Sequence, residues 1–110
     1  MWVRVTVRGN SMSPTLRDGQ ELLARRLFRR PRRHEVIVFR VQDPELPHRV
    51  KRVAAVAGDP IPEWLAPAMP DVRRVPDGFV AVVGDNPRSQ DSRQLGLIHC
   101  GDVVGTVRGT

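Results

Sequence analysis

The run His48-Arg49-Val50-Lys51-Arg52-Val53-Ala54-Ala55-Val56-Ala57 decides how this chain folds. It reads as a β-strand, and the two-residue period of a strand puts Arg49, Lys51, Val53 and Ala55 on one face. Turned inward, that face places a lysine among small apolar neighbours, where an ammonium loses its hydration. The segment is set off from a second strand, His34 to Val41, by the proline-containing loop Gln42 to Pro47.

Working outward, residues 3 to 8 alternate Val3, Val5 and Val7 with Arg4, Thr6 and Arg8, the pattern of a half-buried strand closed by Gly9 and Asn10. Gln20 to Phe28 reads as a strand or a short helix, and Arg29 to Arg33 around Pro31 as an exposed turn. The loop Gly58 to Pro70 carries four prolines, Asp71 to Val75 reads as a short strand, and Pro76-Asp77-Gly78 turns into the apolar run Phe79 to Val83. A polar stretch, residues 84 to 96, precedes a last strand at Val103 to Arg108. Nine glycines and ten prolines punctuate 110 residues, so elements are short and long helices disfavoured. The expected fold is mainly β, a small folded sheet or barrel-like core with little helix, in one domain spanning residues 1–110.

Hydrophobic residues at 40% and charged residues at 27% fit a soluble globular core and exclude a disordered tail. With apolar runs of at most five residues, no segment spans a bilayer, and Arg4 and Arg8 break up any secretory h-region. The chain as written is expected in the cytoplasm, or at a membrane where an N-terminal anchor is missing from it. The single cysteine, Cys100, excludes an internal disulfide and Cys-rich zinc frameworks. No metal spacing or phosphate loop is visible, and no cofactor is expected.

The net charge is +6, and of 18 basic residues 17 are arginine and one, Lys51, is lysine. Arginine stays protonated, whereas a desolvated lysine can act as a base. Among nucleophiles, Ser11 leaves a strand into the turn-rich segment Ser11-Met12-Ser13-Pro14-Thr15, where functional groups commonly sit. Ser13 is a rival only in principle. His34, His48 and His99 read as surface or loop histidines, and His99-Cys100 lacks motif support as a thiol site.

Three segments, Gly9-Asn-Ser-Met-Ser-Pro-Thr-Leu16, Arg49-Val-Lys-Arg-Val-Ala-Ala-Val-Ala-Gly-Asp59 and Gly84-Asp-Asn-Pro-Arg-Ser-Gln-Asp-Ser-Arg-Gln-Leu-Gly96, occur in the order of the boxes of the type I signal peptidases. Together they resemble that family of serine endopeptidases. The resemblance implies Ser11 as nucleophile, Lys51 as general base and Ser89 as a group orienting the lysine. It implies Arg52, Asp85, Asp91 and Arg93 as an ion-pairing scaffold, with Ser92 structural. Gly9 stands where the family sometimes places a hydroxyl in the oxyanion hole, so backbone donors at Gly9, Asn10 and Ser11 are expected instead. Met12 and Pro14 are expected at the substrate cleft, Met12 as its wall and Pro14 also stiffening the turn.

The activity so implied is removal of an N-terminal signal or leader peptide from a precursor protein, bound extended by strand addition with small residues before the cut. The family's hydrophobic anchors are absent here, and its large insertion after the lysine box is reduced to Gly58–Phe79. This resembles the small anchorless relatives that mature nickel superoxide dismutase, which makes cytoplasmic propeptide removal the alternative. A rival from another class is a non-catalytic basic module for nucleic acid or an anionic membrane, resting on the net charge and on Arg29, Arg30, Arg32 and Arg33. The scattered aromatics offer no stacking platform, so nucleic acid is not an expected partner, whereas peripheral contact with an anionic membrane is compatible with a protease. A self-cleaving repressor core would need a DNA-binding domain and a cleavable segment, and neither is evident.

Overall fold

The computed structural model describes residues 1–109. Seven strands, β1 (Trp2–Thr6), β2 (Glu21–Arg25), β3 (Val36–Arg40), β4 (His48–Val56), β5 (Phe79–Val83), β6 (Ile98–His99) and β7 (Val103–Val107), form one sheet. Its order is β1-β2-β7-β3-β4-β5-β6, and every pairing is antiparallel. Helix among the described residues is confined to the single turn α1 (Ser92–Leu95) and to 3-10 turns at Ala66–Ala68 and Cys100–Asp102. The mainly β class expected from the valine-rich alternation is what the chain adopts.

Three apolar clusters follow from the side-chain alternation. One joins Val5, Met12, Leu22, Val38 and Val104 under the β1–β2 hairpin. A second gathers Ile37, Phe39, Val53, Val80 and Val82 across β3, β4 and β5. A third, around Ala55, Leu65, Val75 and Ala81, is covered by the proline-rich segment.

The register of β4 departs from strict alternation. Val53 lies opposite Val82 and Ala55 opposite Ala81, with Ala54 as the extra residue of a bulge. Ala55 therefore packs with the third cluster, on the other face from Lys51 and Val53, and the expected four-residue face ends at Val53.

The expected strand at Asp71–Val75 is reduced to one bridge, Pro60 with Arg74. The two segments exchange bonds from Gly58 N to Val75 O, Val75 N to Asp59 O and Ile61 N to Arg73 O. Pro60 and Pro62 have no N–H to extend the ladder.

Candidate active site

Ser11 owes its position to a short anchored loop. Beyond β1, the Val7 N–H donates to the Gln20 carbonyl and the Gly19 N–H to that of Val7, both at 2.8 Å, closing the base of residues 8–18. Gly9 takes the left-handed φ of +84° that its missing Cβ permits, and its N–H donates to Asp18 Oδ1 at 2.9 Å. A turn follows in which the Leu16 N–H reaches the Met12 carbonyl at 2.9 Å, and the buried Met12 and Leu16 pin it to the first cluster.

Lys51 sits in the middle of β4 opposite Ile37, and only 3% of it is accessible. Burial pushes its ammonium down to about 8; the Arg49 guanidinium acts in the same direction and the Asp91 carboxylate opposes. Ser11 and Lys51 line one cavity of about 160 Å³, together with Met12, His48, Arg49 and Gln90 among others. Among the described residues, no group of metal ligands is assembled.

The third sequence box is fastened to both partners. The Asn86 N–H donates to the Ser11 carbonyl at 2.9 Å and its side-chain amide to the Asn10 carbonyl at 3.0 Å. Asp85 accepts Arg52 Nε and Nη2, each at 2.8 Å, and also the Thr15 hydroxyl. The fork from Arg52 holds the Asp85 carboxyl below its ordinary range, against partial burial, with Thr15 adding to it.

Asp91 caps α1 through the Arg93 N–H, and Gln94 returns a bond to the Asp91 N–H, completing a capping box. Burial works against its charge, but the Arg93 side chain and backbone hold the carboxyl below the usual range, and Lys51 adds to this. The Ser92 hydroxyl, fully buried, accepts the Val82 N–H at 2.8 Å.

Ser89, Gly9 and Pro14 stand differently from expectation. The Ser89 hydroxyl donates to the Asn86 carbonyl at 2.7 Å, within its own turn. It lines an adjoining cavity with Trp64, Gly84, Asp91 and Arg93 rather than the one holding Ser11 and Lys51. Gly9 cannot offer its N–H to an oxyanion while Asp18 accepts it, which leaves the Asn10 and Ser11 N–H groups as the backbone donors among those expected. Pro14 is exposed and outside the cavity wall, whereas Met12, 1% exposed, is both cavity wall and core.

Gly84, Asn86 and Thr15 belong to the site although sequence reasoning passed over them. A Cβ on Gly84 would lie 1.9 Å from Ser89 Oγ and 2.6 Å from the Ser11 carbonyl oxygen. The glycine lets two loops touch, a requirement that nothing in its local sequence announces.

The three boxes expected to meet do meet, and comparison with known proteins agrees. The family described as "Signal peptidase, peptidase S26" matches residues 1–64 and 62–110. Over 109 residues the chain is 38% identical to a protein of Arabidopsis thaliana named "Mitochondrial ATP-independent inner membrane protease subunit 1b", covering 90% of this chain and 63% of that one. The chain thus spans less than two thirds of that relative's length. With a match running over both halves of the sheet and all three segments of the site, this chain belongs to the signal peptidase S26 family.

Proposed function

We propose that this chain is the catalytic core of a serine endopeptidase that removes an N-terminal leader from a precursor protein. The observation that carries the reading is a lysine buried to 3% exposure, its amine lowered to about 8, in the same small cavity as a serine on an anchored turn. Neutral Lys51 accepts the Ser11 hydroxyl proton as Oγ attacks the carbonyl carbon of the scissile bond. The oxyanion that forms is met by the Ser11 N–H. Lys51 then gives its proton to the leaving amine, and the resulting ester on Ser11 is hydrolysed by a water that Lys51 deprotonates. In unliganded sites such catalytic contacts are commonly long and tighten when substrate excludes water.

The extended precursor lies along the opening beside Thr6, Arg8 and Leu46, which border the cavity. Among the described residues, no helix is long and apolar enough to cross a membrane. The test is cleavage of secretory and soluble leader peptides, read by mass spectrometry, with wild type, Ser11→Ala and Lys51→Ala. Cleavage lost in both variants, with unchanged circular dichroism, supports the dyad, and the peptides accepted distinguish export processing from propeptide removal. Full activity in either variant overturns it.

A further inference from the structure

We propose that Arg49 makes the cavity of Ser11 and Lys51 selective for a leader with a carboxylate side chain beside the cut bond, an aspartate or glutamate held by the guanidinium. The proposal deepens the proteolytic reading and rests on it, and it departs from the small residues that the family resemblance implies. Arg49 precedes Lys51 by two residues in the regular part of β4, so both side chains leave the strand on one face. Both line the cavity of about 160 Å³ that also holds Ser11.

The Arg49 guanidinium is only partly satisfied. Its Nη1 donates to Gln90 Oε1 at 3.1 Å and its Nη2 to Asp43 Oδ2 at 3.2 Å, whereas its Nε is buried and makes no hydrogen bond. A buried donor left without a partner is costly, so a ligand that brings an acceptor relieves that cost. Arg52, on the same strand, shows the completed arrangement: its Nε and Nη2 each meet an oxygen of Asp85 at 2.8 Å. Arg49 offers the same pair of atoms, and the longer bond on its Nη2 goes to an Asp43 side chain that is 41% exposed and can turn to solvent. A carboxylate brings two oxygens to that fork, and an amide brings one.

The charge around the cavity selects the same class. Arg8, His48 and Lys51 join Arg49 in its wall, and among the described residues no carboxylate lines it. An acidic side chain is attracted there, and an arginine or lysine of the leader is repelled. The volume lies below the roughly 300–1,000 Å³ of small-molecule pockets, which suits a single side chain. Two strand steps, about 7 Å, separate Arg49 from Lys51, and the same spacing relates neighbouring same-face residues of an extended substrate. The acidic residue is therefore the one whose carbonyl is cut, or the one two places from it.

The test uses fluorescein-labelled ten-residue alanine–serine peptides, each carrying one Asp, Asn or Arg at a successive position. Binding is read by fluorescence anisotropy with Ser11→Ala, which lacks the attacking hydroxyl, and cleavage by mass spectrometry with the wild type. At one position, or at two of the same parity, Asp should raise affinity and kcat/KM at least tenfold over Asn, and Arg should lower both. In Arg49→Gln the advantage of Asp should vanish, and in Arg49→Glu the Arg peptide should become the preferred one. Arg49→Lys keeps the charge without the fork and should retain only part of the advantage. Circular dichroism checks folding, and Arg49→Gln carries the test alone where the charge reversal does not fold. Equal affinity for Asp and Asn peptides at every position, or a preference for Asp that survives Arg49→Gln, overturns the proposal. Cleavage without an acidic preference removes this inference and leaves the proteolytic reading. An Asp preference in binding that depends on Arg49, with no peptide cleaved, supports the carboxylate site and counts against the proteolytic reading instead.

Discussion

Arg52 and Asp85 meet in a two-point pair, Nε to Oδ1 and Nη2 to Oδ2 each at 2.8 Å, that joins the strand carrying Lys51 to the loop carrying Asn86. The same carboxylate accepts the Thr15 hydroxyl, so one side chain spans the lysine strand and the serine turn. Both partners are largely shielded, at 20% and 14% side-chain exposure. Replacing Asp85 with Ala leaves a half-buried guanidinium with the His34 carbonyl as acceptor. A loss of about 1–3 kcal/mol is expected in denaturant unfolding, with a fall of at least tenfold in kcat/KM. Because the Asp85 carboxyl is depressed in the fold, its contribution is complete above the ordinary carboxylate range and lost as pH falls below it.

Gly84→Ala tests whether close approach of the two loops matters. The added methyl would meet Ser89 Oγ, which can rotate away, but also the Ser11 carbonyl oxygen at 2.6 Å, which cannot move without displacing the serine. Activity should fall by two orders of magnitude or more with a smaller loss of thermal stability. An active Gly84→Ala enzyme would show that the Ser11 backbone tolerates that displacement.

Much of this was legible in the sequence, for physical reasons that differ by residue. Val3, Val5 and Val7 alternate with polar neighbours because one face of β1 is buried, so the strand announced itself. Ser11 and Lys51 could be proposed from the sequence because a lone lysine among 17 arginines and three ordered boxes are local facts. What stayed hidden depends on partners distant in sequence. The bulge at Ala54 is fixed by pairing with β5, so the face shared by Lys51 could not be followed to Ala55. Engagement of the Gly9 N–H by Asp18 and of the Ser89 hydroxyl by Asn86 are loop-closure events with no periodic signature. The capping box at Asp91 and Gln94 did have one, Asp-x-x-Gln, within a stretch read only as turns.

Ser92→Ala separates scaffold from chemistry. The hydroxyl is fully buried and accepts the Val82 N–H, so its removal leaves a donor of β5 without a partner. The expected cost is about 1–3 kcal/mol, measured as a lower denaturation midpoint. The rate per folded molecule should change little, since Ser92 lies outside the cavity lined by Ser11 and Lys51. A large loss of kcat at full folding would instead assign Ser92 to the reaction.

Lys51 should set both the pH profile and a stability penalty. With its amine near 8, about one molecule in ten is neutral at pH 7 and most are neutral by pH 9. kcat/KM should therefore rise through a midpoint near pH 8 to a plateau, in place of the flat profile of a base that needs no deprotonation. The sign for folding follows from the same depression. The unfolded chain holds the proton up to about 10.5 and the folded chain only to about 8, so stability climbs as pH rises through that window. Lys51→Met fills the same buried volume without an ammonium. It should be inactive yet more stable at pH 7, by something on the order of 1 kcal/mol, and should lose the climb between pH 8 and 10. Equal stability of wild type and Lys51→Met at every pH would mean that burial of this lysine carries no penalty, and the explanation of its reactivity by desolvation would fail with it.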